Sequence, residues 1–143
     1  MDNNLRLLGI AKKAGLLAIG ADSVSIAARD RKARLILSAS DAGDSAKRHA
    51  AGYAERGGAI HLELTYTRFE LGAVVGRGQP GTLAVLDTGI AAKLAQNLAA
   101  AEPERYGEQA KLLTSSADRM LRRKKEAAAN KKINSTGKRR TAK

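Results

Sequence analysis

Cysteine is absent from this chain of 143 residues, and aromatic residues make up only 3% of it. Without cysteine the protein has neither disulfides nor thiolate metal sites, although this leaves its compartment undecided. One Phe, three Tyr and no Trp are too few for the aromatic platform on which single-stranded nucleic acids stack. The sequence also has no apolar run of about 18 residues and no signal-peptide hydrophobic region. We therefore expect a soluble, cytoplasmic protein.

Acidic residues are scarce near the C-terminus. Residues 119–143 contain 11 of the 26 Lys and Arg residues but one of the 14 Asp and Glu residues, so they carry +10 of the net charge of +12. Few apolar side chains are present to offset the entropy cost of ordering, which predicts a mobile, disordered basic tail. Such a tail binds polyanions. A tail that only aids solubility is the alternative, while a membrane surface is disfavoured because Trp and Phe anchors and a lipidation signal are missing.

Helical and strand patterns alternate along the first hundred residues. The unbroken apolar run at 35–37 is typical of a strand covered on both faces, and Thr67 with Glu70 three residues later predicts a helix start. The succession predicts an α/β fold, a three-layer α/β/α sandwich around a mostly parallel, mixed four-stranded sheet. We expect one domain over residues 1–101, a linker or weak helix over 102–118 and the basic tail over 119–143.

The sequence contains no recognisable set of catalytic or metal-binding side chains. His49 and His61 each lack a second ligand at metal spacing, and no serine has a base near it in sequence. Residues 76–81, "GRGQPG", lack the Lys-Ser/Thr of a phosphate-binding loop and the spacing of a dinucleotide fingerprint. We therefore expect neither catalysis nor a cofactor nor a metal.

Basic residues of the first half lie near the ends of the predicted elements, where helix N-termini also offer free backbone N–H groups to phosphates. A solvated basic face explains any one of them equally well. Among them are Lys12 and Lys13, Arg29 and Arg31, Lys32 and Arg34, and Lys47 and Arg48. Together they favour binding of nucleic acid by shape and backbone.

Three blocks of sequence resemble one known family. They are "LLGIAKKAGLLAIG", "RKARLILSASDAGDSAKR" and "FELGAVVGRGQPGTLAVLDTGIAAKL", within residues 4–98. In this order they resemble the kink-turn RNA-binding ribosomal protein family, called L-seven-Ae-like, and especially its small bacterial YlxQ-type branch. The resemblance implies an α/β/α sandwich that binds RNA at one end, through the first strand-to-helix turn and the loop before the last strand.

The resemblance also implies which residues meet RNA. Gly20 matches the family's turn glycine, Asp22 and Ser23 occupy its polar pair, and Ile26 stands where the family has Lys. Contacts to phosphate or base edges are implied for the loop before the last strand, at Arg77, Gln79 and Thr82. Ser40 and Asp41 lie where another loop approaches that end, and Arg34, Lys12 and Lys13 complete the candidate set.

The sequence therefore predicts a non-enzymatic, ribosomal or ribosome-associated bacterial protein that recognises structured RNA, with a tail that adds nonspecific affinity. We expect a monomer whose partners are RNA and ribosomal proteins. The alternative is a protein-interaction or assembly module that has lost kink-turn specificity, and Ile26 favours it. An RNA-modifying enzyme is disfavoured because no acid–base pair, metal cluster or cofactor loop is recognisable.

Overall fold

A computed structural model describes residues 2–76 and 78–141 of the protein, with side chains up to residue 127 except at 120, 121 and 124. Helices and strands alternate in it as the sequence predicted. The elements are α1 Asn3–Lys13, β1 Leu17–Ile19, α2 Ala21–Arg29, β2 Leu35–Ser38, α3 Asp44–Gly57, β3 Ile60–Glu63, α4 Arg68–Val75, β4 Thr82–Val85, α5 Thr88–Ala101 and α6 Pro103–Thr141.

The four strands form one mixed sheet in the order β1-β4-β2-β3. Strands β1, β2 and β3 run in the same direction, yet only the β2–β3 pairing is parallel. The prediction of a mostly parallel sheet is wrong at the level of pairing, because β4 runs the other way and inserts between β1 and β2. The fold class itself, an α/β sandwich with a mixed four-stranded sheet, is confirmed.

Helices cover both faces of the sheet, because side chains alternate along each strand. Leu35 and Leu37 of β2 face a large core built with α1, α4, α5 and the first part of α6. Ile36 faces a smaller core against α2 and α3, whose buried positions are mostly alanines. All four residues of β2 are buried, as the unbroken apolar run predicted.

The helix ends follow from local sequence. Thr67 and Glu70 form the predicted capping box at the start of α4, since the Thr67 hydroxyl accepts from the Glu70 amide while the Glu70 carboxylate accepts from the Thr67 amide. Helix α1 is capped by Asp2, whose carboxylate accepts from the Asn4 amide.

The packed core extends further along the chain than the predicted limit at residue 101. Pro103 begins α6, and Tyr106, Ala110 and Leu113 of this helix are buried against α5 and the sheet. Tyr106 is only 1% exposed, and its hydroxyl donates to the Glu63 carbonyl at the end of β3. Residues 103–113 are thus part of the packed domain and helical, as the weak-helix alternative had it, and do not form a linker.

Helix α6 then continues to Thr141, over most of the segment that the sequence predicted to be disordered. The physical reason is the distinction between starting and extending a helix. The buried first turns supply the unfavourable nucleus, and propagation through the Ala, Lys, Arg and Glu residues that predominate over 119–132 costs little. Residues 142 and 143 of the predicted tail lie outside the described residues.

Candidate nucleic-acid interface

Gly20 forms the turn between β1 and α2. Its φ of 91° lies where L side chains are strained, which explains why glycine occupies this position. The Gly20 amide donates to the Thr82 carbonyl over 3.0 Å, so the turn is tied to the start of β4. We call this edge of the sheet, where β1 and β2 end and β4 begins, the Gly20 end.

Asp22 and Ser23 are exposed in the first turn of α2. Neither caps the helix, because the N-cap is Gly20 and makes no side-chain hydrogen bond. The first α2 hydrogen bond runs from the Val24 amide to the Gly20 carbonyl. The amides before Val24 therefore have no partner within the helix and are oriented to receive an anion.

Ile26 lies one turn further along α2, on the same side as Asp22 and Ser23, and is 50% exposed. Half of this apolar side chain is therefore accessible to a partner. Since it adjoins the polar pair, any partner that covers the pair also covers Ile26.

Ser40 and Asp41 follow β2 and reach the same end. The Ala39 amide donates to the Gly81 carbonyl and the Ser40 amide to the Tyr66 carbonyl, which fixes this loop against two others. The Asp41 carboxylate accepts from the Arg68 amide at 2.8 Å and lies 3.7 Å from the Arg68 Nε atom. Asp41 therefore holds the start of α4 in place, whereas Ser40 is exposed and its hydroxyl is accessible.

The loop between α4 and β4 passes close to α4. Gly72 of this helix has no Cβ, and an added one would overlap the Gly78 carbonyl oxygen. Gln79 is exposed at the tip, while Thr82 is only 4% exposed and paired within the sheet with Ser38. The predicted contact through the Thr82 side chain is therefore corrected.

Arg77, another predicted contact in this loop, lies outside the described residues. Lys12 and Lys13 are exposed in the last turn of α1, and both line a groove with Gly76, the C-cap of α4. They lie beside the beginning of the loop, not beside Gly20.

Arg34 lies at the other edge of the sheet. Its amide donates to the Val85 carbonyl, at the end of β4, whereas Gly20 bonds to Thr82 at the start of that strand. The structure thus brings Gly20, Asp22, Ser23, Ser40 and Gln79 to one end and separates Arg34 from them. The sequence did not reveal this, because Arg34 and Ser40 are only six residues apart and flank the same strand.

Tyr66 is a residue of the Gly20 end that the sequence did not suggest. Its hydroxyl accepts from the Asn4 side-chain amide at 3.2 Å, and its carbonyl accepts from the Ser40 amide. Burial is the main reason why the pKa of Tyr66 is raised to about 12. Tyr66 is thus a neutral brace between α1 and the loop after β2.

Comparison with known proteins identifies the shape but no activity. No family model matches the chain, and no curated protein does. A solved structure described as a protein with unknown function from Bacillus halodurans C is 27% identical, with a TM-score of 0.60. The match covers 93% of that chain and 65% of this one, so about a third of this protein has no counterpart there. Among the described residues, no helix is both long and apolar enough to cross a membrane.

Proposed function

We propose that this protein binds structured RNA in the cytoplasm, in association with the ribosome, and recognises a kink-turn-like element at the Gly20 end without catalysing a reaction. The observation that carries the proposal is the convergence of three segments distant in sequence. Backbone bonds from Gly20 to Thr82 and from Ala39 to Gly81 hold them together. A braced backbone with exposed polar side chains suits a rigid RNA shape.

Exposed groups at this end have complementary roles in the proposal. The amides at the start of α2 bind a phosphate, because helix N-termini favour anions. Asp22, Ser23 and Gln79 contact base edges, and Ser40 supplies a hydroxyl. Tyr66, Asp41 and Arg68 position these segments and do not themselves contact RNA.

A protein-interaction or ribosome-assembly module remains the second candidate. Ile26 is half exposed next to the polar pair, and Phe69 on α4 is 70% exposed. Such side chains offer a protein partner apolar contact area that a phosphate cannot use. The test below separates the two candidates.

The test replaces Asp22, Ser23 and Ile26 by Asn, Glu and Lys, the residues of the family's motif at these positions. Asp22→Asn, Ser23→Glu and Ile26→Lys together should tighten binding to a kink-turn with tandem sheared G·A pairs by about 1 to 3 kcal/mol, if base-edge contacts contribute as they do in DNA recognition. Binding is measured by titration with residues 1–118, since the basic residues of 119–143 would mask a modest gain in affinity. Ile26→Lys alone is the control for added charge, and an RNA with Watson–Crick pairs in place of G·A is the control for shape.

A gain confined to the kink-turn supports the proposed site. Equal gains on both RNAs would mean that only charge had been added. No gain on either RNA would contradict the proposal and favour the protein-interaction module.

A further inference from the structure

The edge of the sheet opposite Gly20 has a different electrostatic character. Here β2 and β3 begin, and α2 and α3 end. We call it the Arg34 end. Six exposed basic residues lie at this end or on the part of α6 that crosses it: Arg31, Lys32, Arg34, Arg56, Arg119 and Arg123.

These six cations lack ion-pair partners among the described side chains. Asp30 pairs with the neighbouring Arg29 at 3.5 Å, and Asp87 accepts from the Ile90 amide as the cap of α5. Each of these two carboxylates therefore already has a partner of its own. The positive charge of the Arg34 end remains available to an external anion.

At the Gly20 end the described cations are largely paired. Lys47 and Arg105 each lie 3.8 Å from the Glu63 carboxylate, and Arg68 lies 3.7 Å from that of Asp41. Asp22 adds an exposed carboxylate. A phosphate approaching the Gly20 end must compete with these paired carboxylates, whereas the six cations of the Arg34 end are in no ion pair with a described side chain, although the exposed Glu55 and Asp118 adjoin Arg56 and Arg119 in the chain.

Three of the arginines line a common pocket. Arg34 precedes β2, while Arg119 and Arg123 are one turn apart on α6, and together with Ser116 and Thr88 they surround a volume of about 270 Å³. Arg119 donates to the Ser116 hydroxyl at 3.2 Å, which orients its guanidinium. A guanidinium group binds phosphate oxygens through two parallel hydrogen bonds, so this pocket suits a phosphate group.

Arg31 lies beside this pocket on the side of α3, where it lines a neighbouring cavity with Arg29 and Arg56. Its φ of 56° makes it the one described non-glycine residue with positive φ, a conformation that is strained for an L residue. A Cβ added at Gly58, which lines the pocket, would lie 3.2 Å from the Arg31 guanidinium. An arginine thus occupies a position where glycine would be more stable, and it places its charge at the pocket.

Helix α6 leaves the domain at the Arg34 end. It begins beside Glu63, where Arg105 and Tyr106 contact the end of β3, and reaches Arg34 and Ile60 at the beginning of β2 and β3. Its last 23 residues, 119–141, correspond to about 34 Å of helix at 1.5 Å per residue. The basic segment therefore starts at the arginine pocket and is directed away from Gly20.

We propose that the Arg34 end, together with the beginning of the basic segment of α6, is a second RNA-binding surface that takes the phosphate backbone of double-helical RNA. It relies on the proposed function only for the choice of RNA as the polyanion. Five of the six cations are arginines, and no described aromatic ring there is free to stack on bases, because Arg56 covers the Tyr53 ring at 5.5 Å. Binding through phosphates alone makes the surface indifferent to base sequence.

The experiment measures binding of the full chain to a 20-base-pair RNA duplex without a kink-turn, over a series of salt concentrations. In one variant Arg34, Arg119 and Arg123 are replaced by Gln. The matched control replaces Arg6, Lys93 and Lys111 by Gln, which removes the same charge from exposed residues on α1, α5 and α6. The log–log salt slope should fall by about 2 to 3 in the first variant and by less than about 1 in the control, since each lost phosphate contact lowers it by about 0.7 to 0.9.

A further variant, Arg31→Gly, guards against loss of folding as the explanation. Glycine relieves the positive φ, so the melting temperature should rise while the affinity for the duplex falls. Any of three results would overturn the second surface. They are equal changes of the salt slope in the two triple variants, an unchanged slope in both, and an unaltered affinity of Arg31→Gly for the duplex. The preference for a kink-turn over the duplex, measured on the same proteins, reports on the Gly20 end alone, so failure of one site is distinguishable from failure of the other.

Discussion

Two glycines within helices, Gly9 of α1 and Gly72 of α4, differ in the space around them. At Gly72 an added Cβ would overlap the Gly78 carbonyl oxygen and lie 2.9 Å from its carbonyl carbon. At Gly9 the nearest atom is the Val74 carbonyl oxygen, at an ordinary 3.7 Å. The two positions therefore form a matched pair. Alanine favours the helix at both positions, but only at Gly72 would its Cβ meet the backbone of another segment.

We predict that Gly72→Ala lowers the free energy of unfolding by about 1 to 3 kcal/mol, because the backbone at Gly78 must move away. Gly9→Ala should be neutral or stabilising by up to about 1 kcal/mol, since alanine favours the helix and meets no clash. Urea denaturation of both variants measures the difference. A stable Gly72→Ala protein would contradict the close approach between α4 and the following loop.

His61 on β3 lies against α3, and its Nε2 atom is 2.8 Å from the hydroxyl of buried Ser38. Burial lowers the pKa of His61 below 6.5, Glu63 opposes this effect and Lys47 adds to it. In the unfolded chain the imidazole has its ordinary pKa. Between the two values the unfolded chain binds more protons, so acid destabilises the fold.

We therefore predict that the contribution of neutral His61 to the free energy of unfolding is fully present above about pH 6.5. This contribution is lost as the pH falls through the folded pKa of His61. His61→Gln should reduce the dependence of the melting temperature on pH below 6.5, because glutamine does not titrate. His49→Gln, on the exposed side of α3, is the control. The interpretation fails if both substitutions leave the same pH dependence as the unaltered protein.

At the scale of elements, α6 combines two parts with different physical origins. Its first turns are held by burial, as Tyr106, Ala110 and Leu113 pack into the main core. Pro103 stands at the first helical position, where its missing N–H costs nothing. Beyond residue 118 the segment is strongly basic, and over residues 119–132 its helical conformation follows from good helix formers extending an existing nucleus.

Truncation after residue 118 should therefore leave a cooperative thermal transition close to that of the full chain. Truncation after residue 102 removes Tyr106 and Leu113 together. Loss of one large buried aromatic side chain costs about 3 to 5 kcal/mol, so this truncation should destabilise the fold by more than that. Calorimetry of the two truncated chains gives the comparison. Equal stability of the two would restore the domain limit at residue 101 that the sequence indicated.

At the scale of the whole molecule, the two edges of the sheet differ in both geometry and charge. The Gly20 end consists of three loops tied by backbone hydrogen bonds, and Lys47, Arg68 and Arg105 there each lie in an ion pair. The Arg34 end consists of helix ends and strand beginnings with free arginines. Since α6 runs from one end to the other, its basic segment reinforces the Arg34 end and not the Gly20 end.

The order of elements and the covered strand could be predicted from the sequence, because burial imposes local periodicity. The apolar run at Leu35, Ile36 and Leu37 and the capping pair at Thr67 and Glu70 are confirmed for this reason. Of the candidate site, Gly20 and the exposed polar pair after it could also be predicted, since a strand-to-helix turn at glycine is a local feature. Arg34, Asp41 and Thr82 could not be assigned correctly.

The sequence by itself determined the α/β class, the buried strand and the strongly basic C-terminal segment, because each depends on neighbours within a few residues. Only the tertiary structure decided that β4 lies between β1 and β2, and this pairing places Thr82 beside Gly20 and Val85 beside Arg34. Strand pairing depends on contacts between distant segments, so no local pattern encodes which cations share an edge. For that reason the charges that the sequence presented as a scattered set occupy two separate ends of the folded protein.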